Sequence, residues 1–153
     1  MKYKNVSINF VFTRCAAVCT ILSATFSQIQ QNLGDRIGRD VQLISVSVDP
    51  SNDTPENLKA YAAKFGAGPG WTFVTDVKAE IDALLKALGA STSDPDSHTP
   101  MVLIGNDAAA RWTRSSGMSP APILVAMINE AAAMSPELSG NAAEYFTNLE
   151  LLT

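Results

Sequence analysis

Apolar and polar residues alternate over residues 5–13: Val6, Ile8, Phe10 and Phe12 share one side, Asn5, Ser7 and Asn9 interrupt them, and Val11 faces the other way. A period of two predicts a strand. Beyond Cys15 and Cys19 the spacing changes, because Leu22, Phe26, Ile29 and Leu33 recur at helical intervals until Gly34, a suitable stop. Residues 41–48 (VQLISVSV) are β-branched and mostly apolar, as a strand inside a sheet requires. Asp49-Pro50 ends that run. In Thr54-Pro55-Glu56 a cap, a first-turn proline and a dipole-complementing acid open a helix with Leu58, Tyr61, Ala62 and Phe65 in register. Asp49, Asp53 and Thr54 are accordingly read as turn and cap residues.

A glycine-rich loop at 66–70 precedes a short strand at 71–74 and a helix with Ile81, Leu84, Leu85 and Leu88 in phase. A polar loop then leads to His98 and the apolar strand 101–104. Asn106-Asp107 reads as a hairpin turn returning through Arg111-Trp112-Thr113, and Pro120 opens a helix with Ile123, Leu124, Met127 and Ile128 facing inward. The order β-α-β-α-β-α-β-β-α predicts an α/β fold, a mixed sheet flanked by helices.

A chain of 153 residues, 46% hydrophobic and 17% charged, fits one domain with its own core and excludes disordered and collagen-like classes. The net charge of −4 gives no footprint for nucleic acid, and no apolar run reaches the roughly 18 residues that span a bilayer, so a soluble chain with no direct membrane insertion is expected. Lys2 and Lys4 ahead of an apolar stretch imitate a signal peptide. Polar residues at every second position, and Arg14 where a small residue precedes cleavage, favour the strand instead.

Cys15 and Cys19 are the only cysteines and His98 the only histidine. The pair sits between a predicted strand and a predicted helix, where unpaired N–H groups and the helix dipole favour a thiolate. This spacing can close a small disulfide loop or aim both sulfurs at one soft metal ion, and buried structural thiols are the plain alternative. An added imidazole makes a three-ligand set suited to Cu(I), whereas structural zinc wants a fourth Cys or His. If the strand after His98 returns beside the first strand, both sites open on the same side of the sheet. Thr99-Pro100 places a proline at the start of that strand, where thioredoxins carry a cis-proline beside their redox cysteines; a trans proline merely beginning a strand is the alternative.

Asn9-Phe10-Val11-Phe12-Thr13-Arg14-Cys15 with Cys19, Val46-Ser47-Val48-Asp49-Pro50 through Asp53-Thr54-Pro55, Leu58-Lys59-Ala60-Tyr61, Phe65 and His98 together resemble the SCO/SenC family over residues 6–112. The resemblance implies a thioredoxin-like three-layer fold and copper, as Cu(I) or Cu(II), on Cys15, Cys19 and His98. It further implies delivery to a copper centre of cytochrome oxidase, with an oxidase subunit or other redox protein as partner and an extracytoplasmic location. The alternative function is a thiol-disulfide oxidoreductase in which one of Cys15 and Cys19 attacks and the other resolves. A peroxidase of the peroxiredoxin kind expects Pro and Thr close before the reactive cysteine, and only Thr13 is present. Relatives commonly have Pro after each cysteine and Asp two residues after the first. Ala16, Thr20 and Ala17 stand there, changes in the outer sphere rather than the ligands.

Residues 1–134 are read as the thioredoxin-like domain and 135–153 as a tail. The chain starts at what reads as the first central strand, while residues 144–153 resemble the strand that opens such domains. A unit of a tandem array and a permuted edge strand are the two expectations.

Overall fold

The computed structural model describes residues 5–14, 18–89, 100–106, 111–132 and 150–152. Six strands, β1 (Asn5–Val11), β2 (Val41–Ser47), β3 (Trp71–Thr75), β4 (Met101–Asn106), β5 (Arg111–Ser116) and β6 (Glu150–Leu152), form one sheet in the order β5-β4-β1-β2-β3-β6. The helices are α1 (Val18–Leu33), α2 (Pro55–Lys64), α3 (Lys78–Ala87) and α4 (Ala121–Ala132), with a short 3-10 turn at Gly34–Arg36.

Strands β1, β2 and β3 run parallel, linked by α1 and α2, whereas β4 is antiparallel to β1 and β5 to β4. The sheet is mixed, as the strand and helix order predicts. At the far edge β6 pairs antiparallel with β3, Leu152 opposite Phe73. Residues 150–152 therefore extend the sheet; the division at 134 and the tandem or permuted origin of the tail remain expectations. Asn106 still belongs to β4, opposite Arg111, and Asp107 of the expected Asn106-Asp107 turn lies outside the described residues.

On one face of the sheet Trp71 and Phe73 stack at 5.4 Å and meet Phe26 of α1 and Tyr61 of α2, each at 6.0 Å. Helix α4 packs beside α1 on this side. The opposite face carries Val6, Ile8, Phe10, Ile44, Val46 and Leu103, all buried, and α3 brings Ile81, Leu84 and Leu85 into the same core. Leu88, at the end of α3, accepts a hydrogen bond from Arg114 of β5 at 3.3 Å. Helices on both sides of a mixed sheet make the three-layer, thioredoxin-like α/β fold.

The structure settles the surroundings of β1 and changes one expectation, the inward face of α4. The polar side of β1 does not meet solvent: Asn5, Ser7 and Asn9 are as buried as Val6, Ile8 and Phe10, because β1 is a central strand covered on both faces. In α4, Ile123 points outward and is 54% exposed, and Met127 is only partly buried. The inward stripe is Ala121, Leu124, Ile128 and Ala131. The window also contained this i, i+3, i+7, i+10 series; its small alanines allow α4 to approach the sheet closely, and Ile123 lies off that stripe.

Candidate metal centre

Register brings the described segments next in sequence to Cys15 and His98 to one end of the sheet. Val11 of β1 lies opposite Ser47 of β2, while Asn9 pairs with Val102, so the end of β1 meets the start of β4. The chain leaves β1 as Thr13-Arg14, directly before Cys15, and enters β4 through Pro100, two residues after His98. Thr13-Arg14 and Pro100 therefore lie at the carboxyl edge of the parallel strands, the edge at which open α/β sheets bind ligands. Cys15 and His98 themselves lie outside the described residues, as does Thr99, and with it the Thr99-Pro100 bond.

Cys19 occupies the first turn of α1 and is wholly buried. Its carbonyl accepts a hydrogen bond at 3.2 Å from the Tyr61 hydroxyl, which also contacts Ser23 Oγ at 2.8 Å. Tyr61 thereby locks the amino-terminal half of α1 to α2. Gly117, after β5, closes the other side: its N–H donates to the Pro100 carbonyl at 3.2 Å. A Cβ there would lie 2.6 Å from Leu22 Cδ2 and 2.9 Å from both Met101 N and Pro100 C, so only glycine lets β4 enter this close to α1. Leu22 is one helical turn beyond Cys19. Nothing in the local sequence marks Gly117; the contact arises when β5 returns along β4.

The loop after β2 holds the residues ahead of Cys15. Asp53 Oδ1 accepts from Thr13 N at 3.0 Å and Thr13 Oγ1 at 2.7 Å, and Oδ2 accepts from Ser47 Oγ at 2.7 Å. Arg14 reaches Asp49 Oδ2 at 3.3 Å, and Asn52 Nδ2 donates to both oxygens of the same carboxylate at 3.1 and 3.0 Å. Thr54 Oγ1 accepts from Asn57 N at 3.2 Å, the helix cap that its sequence position predicts. Asp49 makes the expected turn, its carbonyl accepting from Asn52 and Asp53 N–H groups. Asp53 does more than turn the chain. Among the described residues no three His, Cys, Asp or Glu side chains are grouped to hold a metal, and two of the three candidate ligands lie outside that set.

A family model described as SCO1/SenC matches residues 1–130. The chain belongs to the SCO1/SenC family. It is similar to the SCO1 protein homolog of Bacillus subtilis, 34% identical over an alignment of 98 residues, with 61% of this chain and 50% of that protein covered. The chain spans about half the length of the curated relatives it matches. Among solved structures, a SCO1/SenC family lipoprotein from Bacillus anthracis str. Ames superposes with a TM-score of 0.73 at 27% identity, covering 86% of this chain and 83% of the other. Bradyrhizobium japonicum ScoI with copper bound has the same fold, with a TM-score of 0.68 at 24% identity over 84% of this chain and 85% of its own. No helix of this SCO1/SenC chain, among the described residues, is long and apolar enough to cross a membrane.

Proposed function

We propose that this SCO1/SenC chain is a copper-binding assembly factor, in which Cys15 and Cys19 supply thiolates and His98 an imidazole to hold copper for delivery to a cytochrome oxidase copper centre. The observation that carries the reading is the antiparallel pairing of β1 with β4, which leads the chain segments flanking Cys15 and His98 to one edge of the sheet, beside the first turn of α1 with Cys19. Two soft sulfurs and one imidazole suit Cu(I), and release to a partner is easier from three ligands than from a closed four-ligand cage. Copper is cargo here. The copper-bound state of the Bradyrhizobium relative supports the same assignment. The partner would be an oxidase subunit or another redox protein, met on the outer side of the cytoplasmic membrane.

The test is a competitive Cu(I) titration of the fully reduced protein against a chromogenic chelator, with His98→Ala alongside. One-to-one binding is expected, weakened in the variant by more than the roughly 10- to 100-fold that changes behind a ligand cost. Unchanged affinity in His98→Ala removes the imidazole from the site. Failure of the wild type to compete would overturn the copper role and leave thiol-disulfide exchange by Cys15 and Cys19 as the function to measure.

A further inference from the structure

We propose that Asp53 is a positioning residue for the cysteine pair: its buried carboxylate fixes the backbone that leads into Cys15. The inference rests on the reading above only in taking Cys15 as functional. An aspartate that merely makes a turn bonds the backbone of its own turn. Asp53 does not follow that pattern, for the donors to its two oxygens are Thr13, 40 residues away, and Ser47, six residues away. Asp49 in the same loop bonds locally to Asn52 and also reaches Arg14, 35 residues away.

Asp53 is 1% exposed, and a carboxylate so placed persists only where hydrogen bonds replace its water. Its own backbone is rigidly anchored, with its N–H on the Asp49 carbonyl at 2.9 Å and the capped start of α2 directly after it. The Val48 N–H donates to the Val11 carbonyl at 2.9 Å, so the loop is also tied to the end of β1. Thr13 is held through both its N–H and its hydroxyl, and Arg14 is held by Asp49. The two residues before Cys15 thus each answer to a carboxylate of the β2–α2 loop. A reactive or ligating group must be held to within about half an ångström, and this clamp supplies that constraint from outside the Cys-x-x-x-Cys segment.

The experiment compares two identical chemical changes, at the half-buried Thr13 and the buried Thr72. Thr13→Val removes the hydroxyl bond to Asp53. Thr72→Val removes a hydroxyl that accepts from Gln42 at 3.1 Å elsewhere on the sheet. In the full chain, the equilibrium constant of the Cys15/Cys19 pair with glutathione and the alkylation rate of Cys15, followed by peptide mass mapping, are measured beside urea stability. Thr13→Val is expected to change the equilibrium constant or the alkylation rate severalfold, and Asp53→Asn to do so further. Thr72→Val should lose stability with both thiol readouts at the wild-type value. If Thr13→Val and Thr72→Val both lose stability and both keep wild-type thiol chemistry, Asp53 is a structural residue and the proposal is overturned. Neither readout needs copper, so a failed Cu(I) titration bears on the copper reading and a silent Thr13→Val on this one.

Discussion

Ser45→Ala is the sharpest probe of the core beneath the site. Ser45 is fully buried on β2; its hydroxyl donates to Asn9 Oδ1 at 2.6 Å and accepts from Trp71 Nε1 at 3.0 Å. It therefore joins the three parallel strands in one polar chain under α1 and α2. Deleting one oxygen leaves little cavity but strands an indole N–H and an amide oxygen away from water. Each of the two stranded groups costs about 1–3 kcal/mol, giving about 2–6 kcal/mol in all. A domain of this size is held by roughly 5–15 kcal/mol, so the change is large, on the order of 10 °C in Tm. Urea unfolding followed by tryptophan fluorescence should show a lower midpoint at an unchanged slope. Ser7→Ala is the matched control: Ser7 Oγ is also buried but has no hydrogen-bond partner among the described residues, so its removal should be neutral or stabilising. A Ser45→Ala protein within about 0.5 kcal/mol of wild type, or a Ser7→Ala protein equally weakened, would refute the reasoning.

Gly117→Ala should cost about 1–3 kcal/mol by scanning calorimetry, since two of the atoms its Cβ meets are main chain and cannot turn aside; an unchanged Tm would mean that β4 has room to shift. The same substitution displaces the entry to β4, so Cu(I) competition should weaken along with stability. Thr54→Ala should lower the urea midpoint by about 1 kcal/mol and Thr54→Ser should restore most of it, because only the oxygen that accepts from Asn57 N differs; equal loss in both would disprove the cap.

Alternation placed β1, apolar and β-branched runs placed β2 to β4, a turn signal placed β5 and helical spacing placed all four helices, because such preferences are written into local sequence. Thr54-Pro55-Glu56 announced α2 in the same way, through bonds that close within one turn. The SCO/SenC motifs and the candidate set Cys15, Cys19 and His98 were likewise readable as residue types in order. Local spacing could not say that Asn5, Ser7 and Asn9 face a covering layer rather than water, since alternation looks the same whether the second face is wet or dry. Nor could it select between the stripes of α4, whose inward side follows the packing against α1 and β4.

The connections of the site belong to tertiary structure alone. Thr13 meets Asp53 across 40 residues, Tyr61 meets Cys19 across 42, and Gly117 presses on Pro100 and Leu22 only once β5 has returned along β4. Such contacts have no period and no neighbouring signature. They depend on strand order and register, which the pairing of distant segments decides, and so the sequence by itself determined the elements and the candidate chemistry while the fold determined which residues hold that chemistry in place.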